Sequence, residues 1–274
     1  MAEQGHRISA ADGTALWVRD YLLPRADVRG SVVIMHGLGE HGGRYQHVAR
    51  FFNDCGLSVR CYDHRGHGKS GGGRGDVIRG DPMVQDGEIV LDDFAAHFDD
   101  PPYLLGHSMG GLFAARFALA RRSSLRGLML SSPALAVRLS PVERVFLRIM
   151  ESLAPFFGVP NGLKPTYLSH DPKVVSDYRN DPLVHNKISA RLLRSMLDSI
   201  DYCTSHANSL SVATLMLVAG DDHLVDASGS ERFSNLAPAG MVQMLRYPHA
   251  YHEVLNEPEA QRAFGDMRAW LATH

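Results

Sequence analysis

Two serines in this chain sit in the pattern G-x-S-x-G. They are Ser108, in Gly106-His107-Ser108-Met109-Gly110, and Ser70, in Gly68-Lys69-Ser70-Gly71-Gly72. The chemistry to consider is attack of a serine hydroxyl on a carbonyl carbon. It needs the serine on a sharp strand-to-helix turn, flanked by small residues that allow strained backbone angles. It also needs an imidazole to take the hydroxyl proton and a carboxylate to orient that imidazole. The pattern alone arises by accident in roughly one chain in ten of this length, so context must decide. Ser108 follows the apolar run Tyr103–Leu105 and opens the helix-forming stretch LFAARFALA. Ser70 lies in glycine-rich coil with no strand directly before it and no helix after it. Ser108 is therefore the candidate nucleophile, and Ser70 reads as a loop hydroxyl. Gly68-Lys69-Ser70 also ends like a phosphate-binding loop, but the first glycine of that motif would fall on Asp63 and no helix follows, so no nucleotide site is expected.

In the strand–turn–helix context that G-x-S-x-G marks, the acid and then the histidine follow the serine along the chain. After the apolar run TLMLVAG come Asp221, Asp222 and Asp226, and after MVQMLRYP come His249 and His252. Spacing alone does not choose among three acids and two histidines.

These residues require a scaffold that brings distant loops to one edge. Strands are expected at 15–22, 31–35, 57–62, 103–105 and 125–130, with helices at 44–55, 82–98 and 112–121. Asp81-Pro82 supplies the start of the second helix. This alternation argues for a mostly parallel sheet with helices on both faces. The rhythm breaks at Pro133. From there to about Leu210 only helical segments are expected, chiefly 141–157 and 189–206. It resumes with a strand at 214–218, a helix at 230–236, a strand at 242–247 and a helix at 258–271. An insertion after a sheet strand commonly forms a lid over the site.

Four segments carry a specific resemblance: HGLGEHGGRY at 36–45, DHRGHGKSGG at 63–72, GHSMGG at 106–111 and AYHEVLNEP at 250–258. Together with DPLVHNKISARL at 181–192 they resemble the monoacylglycerol lipase and lysophospholipase branch of the α/β-hydrolase superfamily, the serine-aminopeptidase-like group. The resemblance implies an α/β-hydrolase core at 1–133 and 212–274 with a helical cap at 134–211. It implies Asp222 as the acid, opening a D-x-x-x-D segment, and His252 of the Tyr251-His252 pair as the base. It implies oxyanion donors at the backbone N–H groups of Leu38 and Met109. Glu40 and Arg44 lie where the resembling lipases hold the glycerol head group; an ion pair that fixes loop geometry is the competing reading. The implied activity is serine carboxylester hydrolysis of a small lipid ester, first of all a monoacylglycerol, with no cofactor. The same fold also admits a lysophospholipase, a general esterase or thioesterase, an acyltransferase and a non-catalytic binding protein. Epoxide and haloalkane hydrolases are disfavoured, because those relatives carry Asp where Ser108 stands.

Composition excludes several classes. Of 274 residues 45% are hydrophobic and 21% charged, which is globular rather than disordered. A net charge of −2 speaks against nucleic acid as a partner. The 15 histidines raise the question of metal, but His64-x-x-His67 carries no accompanying zinc signature and reads as loop packing, as does His36. Cys55, Cys61 and Cys203 have no metal-type spacing and read as reduced thiols. The polar start MAEQGHRISAADGT has no apolar h-region, and no run approaches a membrane span. The expectation is a cytoplasmic chain, at most peripheral to a membrane. In the cap, Phe146, Leu147, Ile149, Met150, Leu153, Phe156 and Phe157 either pack on the core or form an apolar face that rims an acyl groove and touches lipid.

Overall fold

The computed structural model describes residues 4–137 and 139–274. Met1–Glu3, the start of the polar N-terminal stretch, lie outside the described residues. The chain opens with β1 (Gln4–Ser9), β2 (Ala15–Tyr21) and β3 (Gly30–Met35), then α1 (Gln46–Asp54), β4 (Leu57–Tyr62) and α2 (Pro82–Ala95). The centre is β5 (Tyr103–His107), α3 (Met109–Ala120) and β6 (Gly127–Ser131). The insertion carries α4 (Pro141–Leu153), β7 (Gly158–Pro160), α5 (Pro172–Asn180), β8 (Lys187–Ser189) and α6 (Ala190–His206). The chain closes with β9 (Thr214–Ala219), α7 (Ser228–Leu236), β10 (Val242–Tyr247) and α8 (Ala260–Leu271).

Eight strands form one sheet in the order β1-β2-β4-β3-β5-β6-β9-β10. The pairs β1–β2 and β2–β4 are antiparallel and the rest parallel. Strands β3, β4, β5, β6 and β9 are buried along their whole length. Burial on both faces explains their near-continuous apolar runs. The charged exception, Arg60 on β4, is answered by two 2.7 Å bonds to Asp20 and a third partner, Asp93. One core packs β-sheet residues Val33, Met35 and Leu104 against Phe113 and Phe117 of α3 and Leu192, Met196 and Cys203 of α6. The other packs Ile34, Leu105 and Leu217 against Phe52 of α1 and Met267 and Trp270 of α8.

Three expectations need correction. A strand precedes the first one expected: β1 (QGHRIS) is exposed along almost its whole length, so it shows no apolar alternation. Its pairing with β2, not its composition, makes it a strand. The insertion contains strands after all, the three-residue pair β7–β8. Runs that short cannot display a period. Finally, α4 ends at Leu153 rather than near Phe157, because Pro155 disfavours helical backbone at Ala154 and cannot continue the helix.

Imidazole rings fill the space beyond the ends of β3 and β4. The His36 ring centroid is 4.4 Å from that of His64 and 5.3 Å from that of His67. Burial, together with the neighbouring imidazoles, pushes His36 well below its usual range. Burial pushes His64 down to about 4, and burial reinforced by the His252 charge takes His107 to about 4. The unfolded chain therefore takes up protons below 6.5 that the folded chain refuses. Stability is complete above that value and drains as pH falls towards the folded pKa values. At pH 5 His64 and His107 should each contribute about 2 kcal/mol less than at neutrality. Urea unfolding at the two pH values will check this, with the midpoint expected to drop steeply before the carboxylates titrate.

Candidate active site

Ser108 joins β5 to α3 with φ 53° and ψ −118°. Such a conformation is costly for a non-glycine residue and persists only where its surroundings enforce it. Here the Ser108 N–H donates to the Ser131 carbonyl at 2.9 Å, and its own carbonyl accepts from Leu112 and Ala134 at 3.0 Å each. The flanking glycines allow the close approach. A Cβ at Gly110 would lie 2.3 Å from the Met35 carbonyl oxygen, and one at Gly106 would lie 2.5 Å from that of Gly110. The decoy is held quite differently. The Ser70 hydroxyl donates to the Asp63 carbonyl and accepts from the Trp17 N–H at 2.8 Å, inside a loop and well before α2 begins at Pro82.

From loops at the ends of β9 and β10, Asp222 and His252 meet. His252 Nδ1 lies 2.7 Å from Asp222 Oδ2, with both side chains buried. Asp222 Oδ1 accepts the N–H groups of Leu224 and Val225 at 2.8 and 2.9 Å. Burial alone would raise the Asp222 pKa, but the His252 charge, its hydrogen bond and the two amides hold the carboxyl below its ordinary range. The other candidates stand apart. Asp221 pairs with His223 at 3.1 Å, Asp226 accepts from Ser228 N–H at 3.1 Å, and His249 is exposed. No hydrogen bond joins the Ser108 hydroxyl to His252 among the described residues. In free enzymes such contacts are commonly long and tighten with substrate.

Ser108, Met109, Leu38 and Asp222 all face a cavity of about 800 Å³. Its apolar wall comes from the insertion, with Phe146, Leu147 and Met150 of α4, Ile188 and Met196 among the lining residues. Met109 is the first residue of α3, where an N–H has no partner within the helix. The Leu38 N–H likewise makes no hydrogen bond among the described residues. Both residues line the same cavity as Ser108.

A family model described as serine aminopeptidase, S33 matches residues 26–259. The chain belongs to that family. Among the relatives of this S33 hydrolase, a monoacylglycerol lipase of Mycolicibacterium smegmatis is 35% identical, covering 98% of this chain and 97% of that protein. The phospholipase YtpA of Bacillus subtilis is 30% identical over 87% of this chain and 93% of its own length. Among solved structures, the monoacylglycerol lipase of Paleococcus ferrophilus superposes with a TM-score of 0.85 at 32% identity, covering 94% of this chain and 99% of the other.

In this S33 hydrolase Glu40 and Arg44 are not on the wall of that cavity. Arg44 bonds Glu40, and it bonds Glu253 in bidentate fashion at 2.6 and 2.9 Å. Glu40 Oε1 accepts the Gly37 N–H at 2.6 Å and the Tyr45 hydroxyl at 2.7 Å. Burial alone would lower the Arg44 pKa, but the Glu253 and Glu40 charges raise it well above its normal value. Glu40 and Arg44 are thus engaged in ion pairs and hydrogen bonds that link residues 37–45 to Glu253.

Sequence reasoning did not single out Glu253 or Glu257, although both stand in the AYHEVLNEP segment. Glu257 accepts the Tyr251 N–H at 2.6 Å and His170 Nδ1 at 3.1 Å. The insertion also braces His252 directly. The His252 N–H donates to the Tyr167 carbonyl at 3.3 Å, the Glu253 N–H to Leu168 at 2.8 Å, and the Ser169 hydroxyl to the Asn256 carbonyl at 2.8 Å. No spacing rule links residues 167–169 to 252–256.

Proposed function

We propose that this chain hydrolyses monoacylglycerols through an acyl-enzyme on Ser108. The Ser108 Oγ attacks the ester carbonyl while His252 takes its proton. Asp222 holds the imidazole and stabilises the cation that forms. The negative oxygen of the tetrahedral intermediate sits between the Leu38 and Met109 N–H groups. The ester C–O bond breaks, His252 returns the proton to the departing alcohol, and water then attacks the acyl-Ser108 with His252 again as base, releasing the fatty acid. In this reading residues 134–211 act as a cap on a core formed by 1–133 and 212–274.

One observation carries the choice of substrate. The cavity wall is largely apolar, and the charged groups on it among the described residues are the carboxylates Glu143, Asp222 and Asp226, which repel an anionic head group. A phosphodiester head group would want a guanidinium or ammonium there. A neutral glyceryl ester needs neither. The lipase of Mycolicibacterium smegmatis, similar along nearly all of both chains, supports the same substrate class. A panel of monoacylglycerols, lysophospholipids, triacylglycerols and short p-nitrophenyl esters tests it, with Ser108→Ala as the blank. Monoacylglycerols should give the highest kcat/KM. Preference for lysophospholipids would overturn the head-group assignment.

The substrate class also implies a lipid surface. On α4 and just beyond it Val142, Val145, Ile149, Leu153, Phe156 and Phe157 are exposed, Leu153 to 78%. No helix among the described residues is long and apolar enough to cross a membrane. The apolar face of α4 instead rests on the membrane beside the cavity that the same helix lines. Co-sedimentation with phosphatidylcholine vesicles should be lost in the double variant Val145→Asp/Leu153→Asp, while turnover of a dispersed short-chain ester persists. Sedimentation equal to the parent chain would exclude this contact.

A further inference from the structure

The reading above needs the Leu38 N–H to point at the reacting oxygen, and the structure contains a device that sets its direction. His36 Nδ1 lies 2.7 Å from the carbonyl oxygen of Gly37, and His36 Nε2 lies 2.9 Å from the backbone N of His64. A backbone N–H can only donate, so Nε2 must present its lone pair. A carbonyl can only accept, so Nδ1 must carry the proton. Only one protonation state of the ring satisfies both neighbours: neutral, with hydrogen on Nδ1. An imidazolium would turn an N–H against the N–H of His64. Burial, which pushes the His36 pKa well below its usual range, favours the same form.

The carbonyl that His36 holds belongs to the Gly37–Leu38 peptide, and the other polar end of that planar unit is the Leu38 N–H. In a trans peptide these two groups point in opposite directions. Pinning the oxygen to the buried imidazole therefore aims the N–H away from it, towards the cavity that Leu38 and Ser108 line. The preceding peptide is held as well, because the Gly37 N–H donates to Glu40 Oε1 at 2.6 Å. Glycine at 37 offers the backbone little intrinsic resistance to rotation. Without the two grips, the peptide could turn its carbonyl into the site.

We propose that His36 is a positioning residue for the oxyanion hole, acting through the Gly37 carbonyl to direct the Leu38 N–H. This rests on the assignment of Ser108 as nucleophile. His36 touches no reacting atom, and its effect should therefore appear in the transition state and not in substrate binding.

Two substitutions separate the two hydrogen bonds. His36→Asn puts an amide N–H near the place of Nδ1 and can still hold the Gly37 carbonyl. His36→Gln reaches the place of Nε2 and can still accept from His64, but it releases that carbonyl. The full chain is titrated with a fluorophosphonate, and kcat is expressed per titrated site, so that loss of folded protein does not count as loss of catalysis. His36→Gln should lower kcat by about 10²-fold, the usual effect of losing one oxyanion donor, with KM nearly unchanged. The affinity of an alkylboronic acid, which forms a tetrahedral anion on Ser108, should fall in step with kcat. His36→Asn should recover most of both losses. Equal kcat per titrated site in the two variants would overturn the inference, whatever their melting temperatures. The wild-type chain supplies a check that needs no stable variant. Heteronuclear NMR of its imidazoles should find the neutral Nδ1–H form of His36, and an Nε2–H form would also overturn it. Failure of the wild-type chain to react with fluorophosphonate or boronate at all would count against Ser108, a distinct outcome.

Discussion

Ser108→Ala will abolish labelling by fluorophosphonates and lower kcat for ester hydrolysis by about 10⁶-fold, the scale seen when a serine nucleophile is removed from such a site. Amide donors and the cavity remain, so some rate above the uncatalysed reaction persists. The fold should survive. The Ser108 carbonyl and N–H, not its hydroxyl, make the hydrogen bonds that hold the elbow. Alanine meets the same cost at φ 53° as serine does. Unchanged thermal unfolding combined with lost turnover is the expected pair of results. Labelling that survives in the variant would remove Ser108 from the mechanism and return attention to Ser70.

Asp222→Asn should cost about 10⁴ in kcat, and the reason lies in which oxygen is already taken. Asp222 Oδ1 accepts two backbone N–H groups, from Leu224 and Val225, and Oδ2 serves His252 Nδ1. An asparagine has one oxygen. If it stays with the two amides, the NH₂ group faces Nδ1 and drives the imidazole to the tautomer protonated on Nε2, which cannot accept the Ser108 proton. If it turns to serve His252, two buried N–H groups confront a donor, at a cost of about 1–3 kcal/mol for each group left unpaired. Steady-state kinetics with active-site titration checks this. Titrated sites should remain countable while acylation slows. A loss smaller than about tenfold would mean that the Asp222 charge and acceptor do little for His252.

Much of this architecture was legible in the chain because its signals are local. The continuous apolar runs at 31–35, 57–62 and 214–218 read as buried strands, and the small residues around Ser108 read as a tight turn. The candidate partners of Ser108 were only partly legible. Position after a strand narrowed the acids to Asp221, Asp222 and Asp226, and resemblance, not spacing, chose among them. In the structure Asp222 takes two backbone N–H donors on one oxygen and the His252 imidazole on the other. What stayed hidden depends on contacts distant in sequence. The exposed β1 becomes a strand through its partner. Arg44 and Glu253 are 209 residues apart, and nothing in the run HGGRY distinguishes an arginine that ties two loops together from one that meets a head group. His36 was readable as a loop residue, but its bond to Gly37 follows from the ring's orientation, which no motif encodes.

The hydrogen bonds from the His252 and Glu253 amides to the carbonyls of residues 167 and 168 have a consequence for anyone recombining members of this family. The insertion lines the cavity, so it is the natural part to exchange when the cavity wall is to be changed. In this molecule the middle of the insertion contributes two backbone acceptors to the segment that carries His252. A chimera that replaces everything between β6 and β9 imports a foreign backbone path at that point and can lose turnover while its new tunnel is correctly shaped. A graft limited to α4 and β7 keeps residues 167–170 native, and with them the registry between the exchanged wall and the retained chemistry.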